Sequence, residues 1–178
     1  MPTYAAFLRA INLGATRKFP KDAIKAAVES AGGTDVETHS NTGNVRLTTS
    51  LRSPAKIETA LEKAFAADRG FEVPTMVFTL AELVEIAEHA DRLRSEHGEP
   101  MAHYVTLFKA APAAAAVAAL AEVAVEGETV LVEGRAAHGL LYRPFNESRL
   151  LSSRAFVALG VGTARNVTVI RALAQKWG

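Results

Sequence analysis

The sequence predicts an α+β protein made of two halves with the same order of elements. Three observations support this prediction. The chain opens with a nearly continuous apolar run typical of a strand buried on both faces, later segments carry apolar residues at helical spacing, and the order of strand and helix signals occurs twice. This order matches the split βαβ, ferredoxin-like arrangement, in which helices cover one face of an antiparallel or mixed sheet. We therefore expect two ferredoxin-like halves packed together.

The first half is predicted over residues 1–79. Residues 1–12 form a strand, and a polar loop leads from it to a helix over residues 21–31, which a pair of glycines stops. Two short segments in which polar and apolar residues alternate, 36–39 and 45–49, are separated by a turn rich in Asn and Gly. They are expected to form a hairpin.

A helix and a fourth strand complete the first half. Ser53 is expected to cap the helix and Pro54 to occupy its first position, because proline needs no hydrogen-bond acceptor there. Apolar residues recur at helical spacing after this pair until Gly70 ends the helix. Residues 71–78 then form the strand.

A connecting helix and loop are predicted over residues 80–100, and the second half with its C-terminal helix over residues 101–178. Thr79 and Glu82 have the spacing of a capping box and start the connecting helix, which we expect to end near His89. In the second half we predict a strand at 103–109, a helix at 112–123, a hairpin at 129–133 and 137–142, and helices at 148–159 and 166–177.

The composition is that of an ordinary folded protein. Of the 178 residues, 49% are hydrophobic and 22% are charged, which excludes general disorder. The formal net charge of +1 provides no global field that would attract nucleic acid or anionic lipid, so a polyanion would need a local patch. The absence of cysteine excludes disulfides, thiolate nucleophiles, cysteine-ligated zinc and iron–sulfur clusters held by thiolates.

We expect neither a secretory signal nor a membrane segment. The N-terminal residues lack a basic region followed by a long apolar one. No segment approaches the roughly 20 uninterrupted apolar residues that a spanning helix needs. Together with the absence of cysteine, these features favour a cytoplasmic protein.

Several short motifs occur in the order and spacing of a known family. They are Leu8-Arg9-Ala10-Ile11-Asn12-Leu13-Gly14, Lys18 with Pro20, Asn41-Thr42-Gly43-Asn44-Val45, Phe71-Glu72-Val73-Pro74 and Arg165-Asn166. Through them the chain resembles the domain-of-unknown-function 1697 family along nearly its whole length. It departs from the family in having Ala10 and Ala15 where glycines are common, and in lacking a tryptophan that often follows the Arg-Asn pair. The resemblance implies two related ferredoxin-like halves and no particular activity.

The candidate ligand-binding residues are Arg9, Asn12, Asn44, Arg165 and Asn166. All lie at predicted element ends, where sites are commonly built. Arg9 ends an apolar strand, so its guanidinium needs an anionic ligand or an internal partner. Arg165 and Asn166 precede a helix whose N-terminus can hold an anion. Structural roles compete with each assignment: internal pairing of Arg9, turn geometry for the two other asparagines, and capping of the last helix by Asn166 or Thr168.

The sequence assigns no catalytic residue, cofactor or metal site, and leaves open whether the protein is an enzyme. Gly160-Val161-Gly162 lacks the third glycine of a dinucleotide fingerprint and is expected to follow a helix instead of a strand. Ser53 and Lys56 have Ser-x-x-Lys spacing, but the partner motifs of acyl-transfer enzymes are missing. His39, His89, His97, His103 and His138 show no helical pair suited to metal binding.

Our leading hypothesis is a small anionic or polar ligand bound at the junction of the two halves. Arg9 and Arg165 would contact its anionic group, and Asn12 and Asn44 would orient it. A nucleic-acid-binding module using the basic patch Arg17 to Lys25 is a weaker alternative, because the predicted sheet lacks exposed aromatic pairs for stacking bases. A protein-interaction module, including a homo-oligomer paired through an exposed sheet edge, is the third hypothesis.

Overall fold

The computed structural model describes all 178 residues, Met1 to Gly178, as eight β-strands and six α-helices. The strands are β1 (Thr3–Leu8), β2 (Thr34–His39), β3 (Asn44–Thr48), β4 (Thr75–Thr79), β5 (Ala102–Phe108), β6 (Glu128–Glu133), β7 (Ala136–Leu141) and β8 (Gly162–Asn166). The helices are α1 (Lys21–Ser30), α2 (Pro54–Arg69), α3 (Leu80–His97), α4 (Ala114–Ala121), α5 (Arg154–Val157) and α6 (Val167–Trp177). A 3₁₀ turn spans Phe145–Glu147. None of the helices has the length and apolar character needed to cross a membrane.

The strands form two four-stranded antiparallel sheets with the same topology. The first has the order β2-β3-β1-β4 and the second β6-β7-β5-β8. Each sheet has helices packed on one face, α1 and α2 on the first and α4 and α5 on the second. The prediction of two ferredoxin-like halves in an α+β protein is therefore confirmed.

The chain divides into two compact units. The first unit comprises Met1–Leu83 together with Lys176–Gly178, and the second comprises Val84–Gln175. The division therefore falls within the long helix α3 and near the end of α6. Each unit contains one complete sheet and its own hydrophobic core.

Strand β1 places its side chains on alternate faces of the first sheet. Tyr4, Ala6 and Leu8 enter the core shared with α1 and α2, whereas Phe7 lies on the other face and packs edge-on against Phe78 with ring centroids 6.0 Å apart. Burial on both faces explains the nearly continuous apolar run of the sequence. Each large side chain buried in this way contributes about 1.5–3 kcal/mol to stability.

The second sheet shows the same alternation, with a histidine among the buried residues of β7. In β7, Ala137 belongs to the core shared with α4 and α5, and its neighbour His138 is fully buried at 0% exposure. Because successive residues of a strand point to opposite faces, His138 lies on the face away from α4 and α5. A buried imidazole in this position requires polar neighbours.

Strand β8 was absent from the sequence-based prediction, which passed from a glycine-rich loop directly into the last helix. Gly162–Asn166 instead pairs antiparallel with β5. Thr163 and Arg165 are its buried residues, and Ala164 between them is exposed. The alternation is thus present with polar residues on the buried side, so a search for alternating apolar residues does not detect it.

The helix predicted over residues 148–159 is also wrong for its first half. Only Arg154–Val157 is α-helical, capped by Ser153, whose hydroxyl accepts the N–H of Phe156 at 3.1 Å. The preceding residues wrap around Glu128. Its carboxylate accepts the Ser148 hydroxyl at 2.7 Å and the backbone N–H groups of Arg149 and Leu150, both at 3.0 Å. These contacts hold the segment as a loop around a buried charge.

The connecting helix begins as predicted and ends later. The backbone N–H of Thr79 donates to Glu82 at 2.8 Å, and that of Glu82 donates to the Thr79 hydroxyl at 3.1 Å, which is the reciprocal pattern of a capping box. The helix continues to His97 instead of stopping near His89. The predicted cap of α2 is wrong in detail, because Ser53 occupies the N-cap position but makes no side-chain capping bond.

Candidate functional site

An open cleft lies in the first unit beside the loop that follows β1. Its volume is about 610 Å³, and it is lined by Asn12, Lys18, Pro20, Lys21, Asp22 and Asn41. We call it the loop cleft. It combines the family-like motif after β1 with the turn of the β2–β3 hairpin, two segments that are distant in sequence.

The side chain of Asn12 connects the two segments that line the loop cleft. Its side-chain Nδ2 donates to the carbonyl oxygens of Phe19 at 3.1 Å and Asn41 at 2.8 Å, and its Oδ1 accepts the Phe19 N–H at 2.9 Å. Its backbone has a φ of 53°, a conformation that asparagine tolerates better than most residues. Both amide N–H groups are therefore engaged, so Asn12 shapes the cleft and has one acceptor lone pair left for a ligand.

The hairpin turn opposite is fixed by Gly43 and Asn44. Gly43 has a φ of +78°, and a Cβ at this position would lie 2.6 Å from Leu8 Cβ, so only glycine fits. Asn44 is 1% exposed, and its Nδ2 lies within hydrogen-bond distance of the His39 carbonyl at 3.0 Å, Ser40 Oγ at 3.1 Å and Thr42 Oγ1 at 3.0 Å. These contacts close the turn.

The charged groups of the loop cleft come from the entry to α1. Lys18 and Lys21 are exposed, and neither ammonium group has an ion-pair or hydrogen-bond partner in the chain. Pro20 is the N-cap residue and provides no side-chain capping bond, so the first N–H groups of α1 are available to a ligand. Asp22 lies in the first turn and adds one carboxylate to the lining. The cleft therefore has two free cations, amide groups and one carboxylate.

Arg17 is a structural residue, which reduces the basic patch expected from the sequence. Its guanidinium donates to the carbonyl oxygens of Ala10 and Glu72 and lies 4.4 Å from the ring centroid of Phe71. Lys25, the last member of the patch, forms an i,i+4 pair with Glu29 at 3.9 Å. Lys18 and Lys21 are the members without intramolecular partners.

Arg9 has no side-chain partner within the chain, so internal pairing, one of the two alternatives for this residue, does not occur. It follows β1 instead of ending it, its backbone N–H donates to the Pro74 carbonyl at 2.8 Å, and its side chain is exposed. The guanidinium makes no hydrogen bond or ion pair within the chain. Arg9 is not among the residues that line the loop cleft.

Arg165 and Asn166 lie in the second unit and have different environments. Arg165 is 6% exposed and donates through Nη1 to Thr163 Oγ1 and to the Ala164 carbonyl, both at 2.8 Å. Burial lowers the pKa of Arg165 to about 10, so its guanidinium remains charged at neutral pH. Asn166 caps α6 through its Oδ1, which accepts the N–H of Thr168 at 2.9 Å and its hydroxyl at 2.8 Å.

Three histidines assemble in the second unit, and sequence reasoning missed this cluster. His103 Nε2 and His138 Nδ1 are 3.0 Å apart, and the His89 ring lies edge-on to His138 with centroids 4.7 Å apart. His89 also contacts the Glu133 carboxylate at 3.0 Å. These histidines do not form a group of three or more side chains placed so that they could hold a metal ion. The signal available in the sequence was a histidine inside the otherwise apolar segment of β7.

Comparisons with known proteins agree with this architecture. The structure titled "The structure of conserved bacterial protein SP0830 from Streptococcus pneumoniae" matches with a TM-score of 0.78 over 99% of this chain and 98% of that chain. The sequence identity is 19%, so the similarity demonstrates a shared fold. No curated protein matches the chain. The family model described as "Protein of unknown function (DUF1697)" matches residues 1–138, and the chain therefore belongs to the DUF1697 family.

Proposed function

We propose that the protein binds a small anionic metabolite in the loop cleft. The observation that carries this proposal is the placement of two unpaired ammonium groups, from Lys18 and Lys21, beside the uncapped N-terminus of α1 in one cleft. A negative charge there gains from both lysines and from the positive end of the helix. The volume of about 610 Å³ is within the range of clefts that bind small molecules.

The lining also indicates what else the ligand carries. Asp22 accepts hydrogen bonds only, and the side-chain amide of Asn41 both donates and accepts without an intramolecular partner. A bare anion would be repelled by the Asp22 carboxylate, whereas a hydroxyl or amino group would bind to it. We therefore favour a ligand that has a phosphate or carboxylate group together with a hydroxyl or amino group, such as a sugar phosphate or a nucleotide.

The cleft is preorganised, which lowers the entropic cost of binding. Asn12 fixes the distance between the loop and the hairpin turn through bonds to Phe19 and Asn41. Gly43 and Asn44 hold the turn itself. Because these groups are already ordered, a ligand does not have to order them. In this proposal Asn12 and Asn44 act as positioning residues.

Arg9 is proposed as an additional anion contact from the same loop. Its guanidinium is exposed and unpaired, so it is available to a ligand larger than the cleft itself. Arg165 and Asn166 remain proposed contacts in the second unit. The nucleic-acid hypothesis has less support than the sequence suggested, because Arg17 and Lys25 have intramolecular partners and few phosphate contacts remain.

A thermal-shift screen of phosphorylated metabolites and nucleotides tests the proposal. A ligand at 100 times its dissociation constant stabilises the folded protein by about 2.7 kcal/mol. We expect at least one compound to raise the melting temperature, and Lys21→Ala and Lys18→Ala to abolish most of the increase. Lys63→Ala is the matched control, because Lys63 is an exposed lysine on α2 away from the cleft lining.

Two results would contradict the proposal. One is a screen in which no compound changes the melting temperature. The other is a confirmed ligand whose effect is the same in Lys21→Ala as in the Lys63→Ala control. Retention of binding in both lysine variants with loss in Arg9→Ala would move the site away from the loop cleft.

A further inference from the structure

The second unit contains a smaller cavity at the start of α6. Its volume is about 170 Å³, and its polar lining comes from Arg94, Glu99, His103, Asn166, Thr168 and Arg171. We call it the α6 cavity. It is smaller than cavities that enclose a whole drug-sized ligand and suits a single small group.

We propose that the α6 cavity binds a tetrahedral oxyanion such as a phosphoryl group, held by His103 Nδ1 and the guanidinium groups of Arg94 and Arg171. The three groups come from three elements, β5, α3 and α6, so they approach the cavity from different directions. Several oxygens of one tetrahedral ion can then be bound at once. The N-terminus of α6 also lies at the cavity, and its partial positive charge favours an anion.

His103 is the observation that indicates a missing ligand. It is only 5% exposed, and its Nε2 is bonded to His138 Nδ1 at 3.0 Å. Its Nδ1 has no partner in the chain and, unlike His138 Nε2, is not among the fully enclosed side-chain atoms that lack a hydrogen bond. Because His103 lines the α6 cavity, we infer that Nδ1 faces it. A nearly buried imidazole nitrogen without a partner is costly, and a bound oxygen would satisfy it.

A bound anion determines the tautomers of both histidines. His103 must carry its proton on Nδ1 to donate to the anion, so its Nε2 accepts from His138 Nδ1. His138 then has no proton on Nε2, the atom that is enclosed without a partner. Ligand binding thus also determines the tautomer of His138, which is fully buried.

Each of the two arginines has a carboxylate partner, and the two ion pairs differ in their exposure to solvent. Arg171 Nε donates to Asp91 Oδ1 at 2.8 Å, and Arg171 Nη2 lies 2.7 Å from the same oxygen. Asp91 thus orients the guanidinium, and Nη1 is the nitrogen left for an anion in the cavity that Arg171 lines. Arg94 Nε lies 2.9 Å from Glu99, but their side chains are 53% and 70% exposed, so water weakens this pair. Glu99 itself lines the cavity and competes with an incoming anion for Arg94. We expect Arg94 to bind a doubly charged phosphate in preference to the single exposed carboxylate of Glu99.

Nuclear magnetic resonance of the full chain with ¹⁵N-labelled histidine tests the proposal. Inorganic phosphate is titrated at pH 7.5 against sodium chloride of equal ionic strength, which controls for screening. We expect phosphate alone to shift the His103 ring signals in a saturable manner and to increase the fraction protonated on Nδ1. Arg94→Ala should weaken binding about tenfold, and Glu99→Gln should strengthen it, because the first removes a cation and the second a competing carboxylate.

Both substitutions are at exposed positions, so the variants are expected to fold, and circular dichroism checks this. Lys63→Ala, which changes an exposed lysine of α2 that lines neither cavity, should leave the His103 response unchanged. No saturable shift at phosphate concentrations up to about 10 mM, equal shifts with chloride, or equal affinity in Arg94→Ala and Glu99→Gln would each overturn the proposal. Acetate that binds as tightly as phosphate would overturn the assignment to a tetrahedral ion.

Discussion

Asn12 donates a side-chain N–H to the backbone carbonyl of Asn41 at 2.8 Å and so joins the loop after β1 to a hairpin turn 29 residues further along the chain. The contact uses the side chain of one asparagine and the backbone of the other. Asn12 and Asn41 are both asparagines in loops, but only Asn12 uses its side chain in this contact.

Asn12→Ala should destabilise the protein by about 1–3 kcal/mol, because it leaves the backbone groups of Phe19 and Asn41 without their partner. Asn41→Ala is the control, since its backbone carbonyl remains and its exposed side chain makes no intramolecular bond. It should change stability by less than about 0.5 kcal/mol. Urea unfolding measures both. Equal free energies of unfolding for the two variants would show that the side-chain hydrogen bonds of Asn12 do not contribute to stability.

Gly43→Ala should be among the most damaging single substitutions in the first unit. The added Cβ would lie 2.6 Å from Leu8 Cβ and 2.9 Å from Ile11 Cδ1, at a φ of +78° that alanine rarely adopts. Gly14→Ala is a matched control, because its φ is +57° and no atom lies within 4 Å of the added Cβ. We expect about 1–2 kcal/mol for Gly14→Ala from the backbone conformation alone and a larger loss for Gly43→Ala. Similar melting temperatures for both variants would contradict the close packing at Gly43.

Glu128→Gln should destabilise the second unit. Burial alone would raise the pKa of Glu128, but hydrogen bonds from Arg149, Ser148 and Leu150 outweigh it, so the carboxyl has a pKa below its usual value. The glutamine side chain presents one acceptor oxygen and an N–H₂ group to these donors, which costs about 1–3 kcal/mol. Exposed Glu126→Gln, two residues earlier, is the control. Hydrogen exchange of the Arg149 and Leu150 amides should accelerate in Glu128→Gln only.

The histidine pair should make stability depend on pH. Burial, with smaller effects from nearby positive charges, lowers the pKa of His103 from 6.5 to about 4 and that of His138 from 6.5 to about 3. Between pH 6.5 and 4 the unfolded chain binds protons that the folded protein does not. The free energy of unfolding therefore decreases as pH falls through this window, by up to about 1.4 kcal/mol per pH unit for each histidine.

Urea unfolding between pH 7.5 and 4.5 measures this slope. His138→Gln should reduce the slope, because the variant lacks one of the two histidines that bind protons more weakly in the folded than in the unfolded chain. His97→Gln, which changes an exposed histidine in the last turn of α3, should leave the slope as it is in the unmodified protein. A slope that is insensitive to His138→Gln would mean that this ring does not titrate differently in the folded and unfolded chains.

Most of the fold followed from the sequence, whereas little of the candidate site did. Seven of the eight strands and the order of the helices were predicted from apolar periodicity, glycine and proline signals, and the capping box at Thr79. The eighth strand was missed because Thr163 and Arg165 occupy its buried positions. Of the residues that line the loop cleft, Asn12 was a candidate from the sequence, whereas Lys18 and Lys21 were considered for binding only as part of a basic patch for nucleic acid.

The sequence by itself determined the α+β class, the repeated order of elements and the family, because these depend on patterns among residues close together along the chain. The tertiary structure decided which polar groups remain free. Arg17 is occupied by the carbonyl groups of Ala10 and Glu72, and His103 meets His138 across 35 residues. Such partners meet only after the strands pair and the loops close, and the residual hydrogen-bonding capacity of a side chain depends on all of them at once.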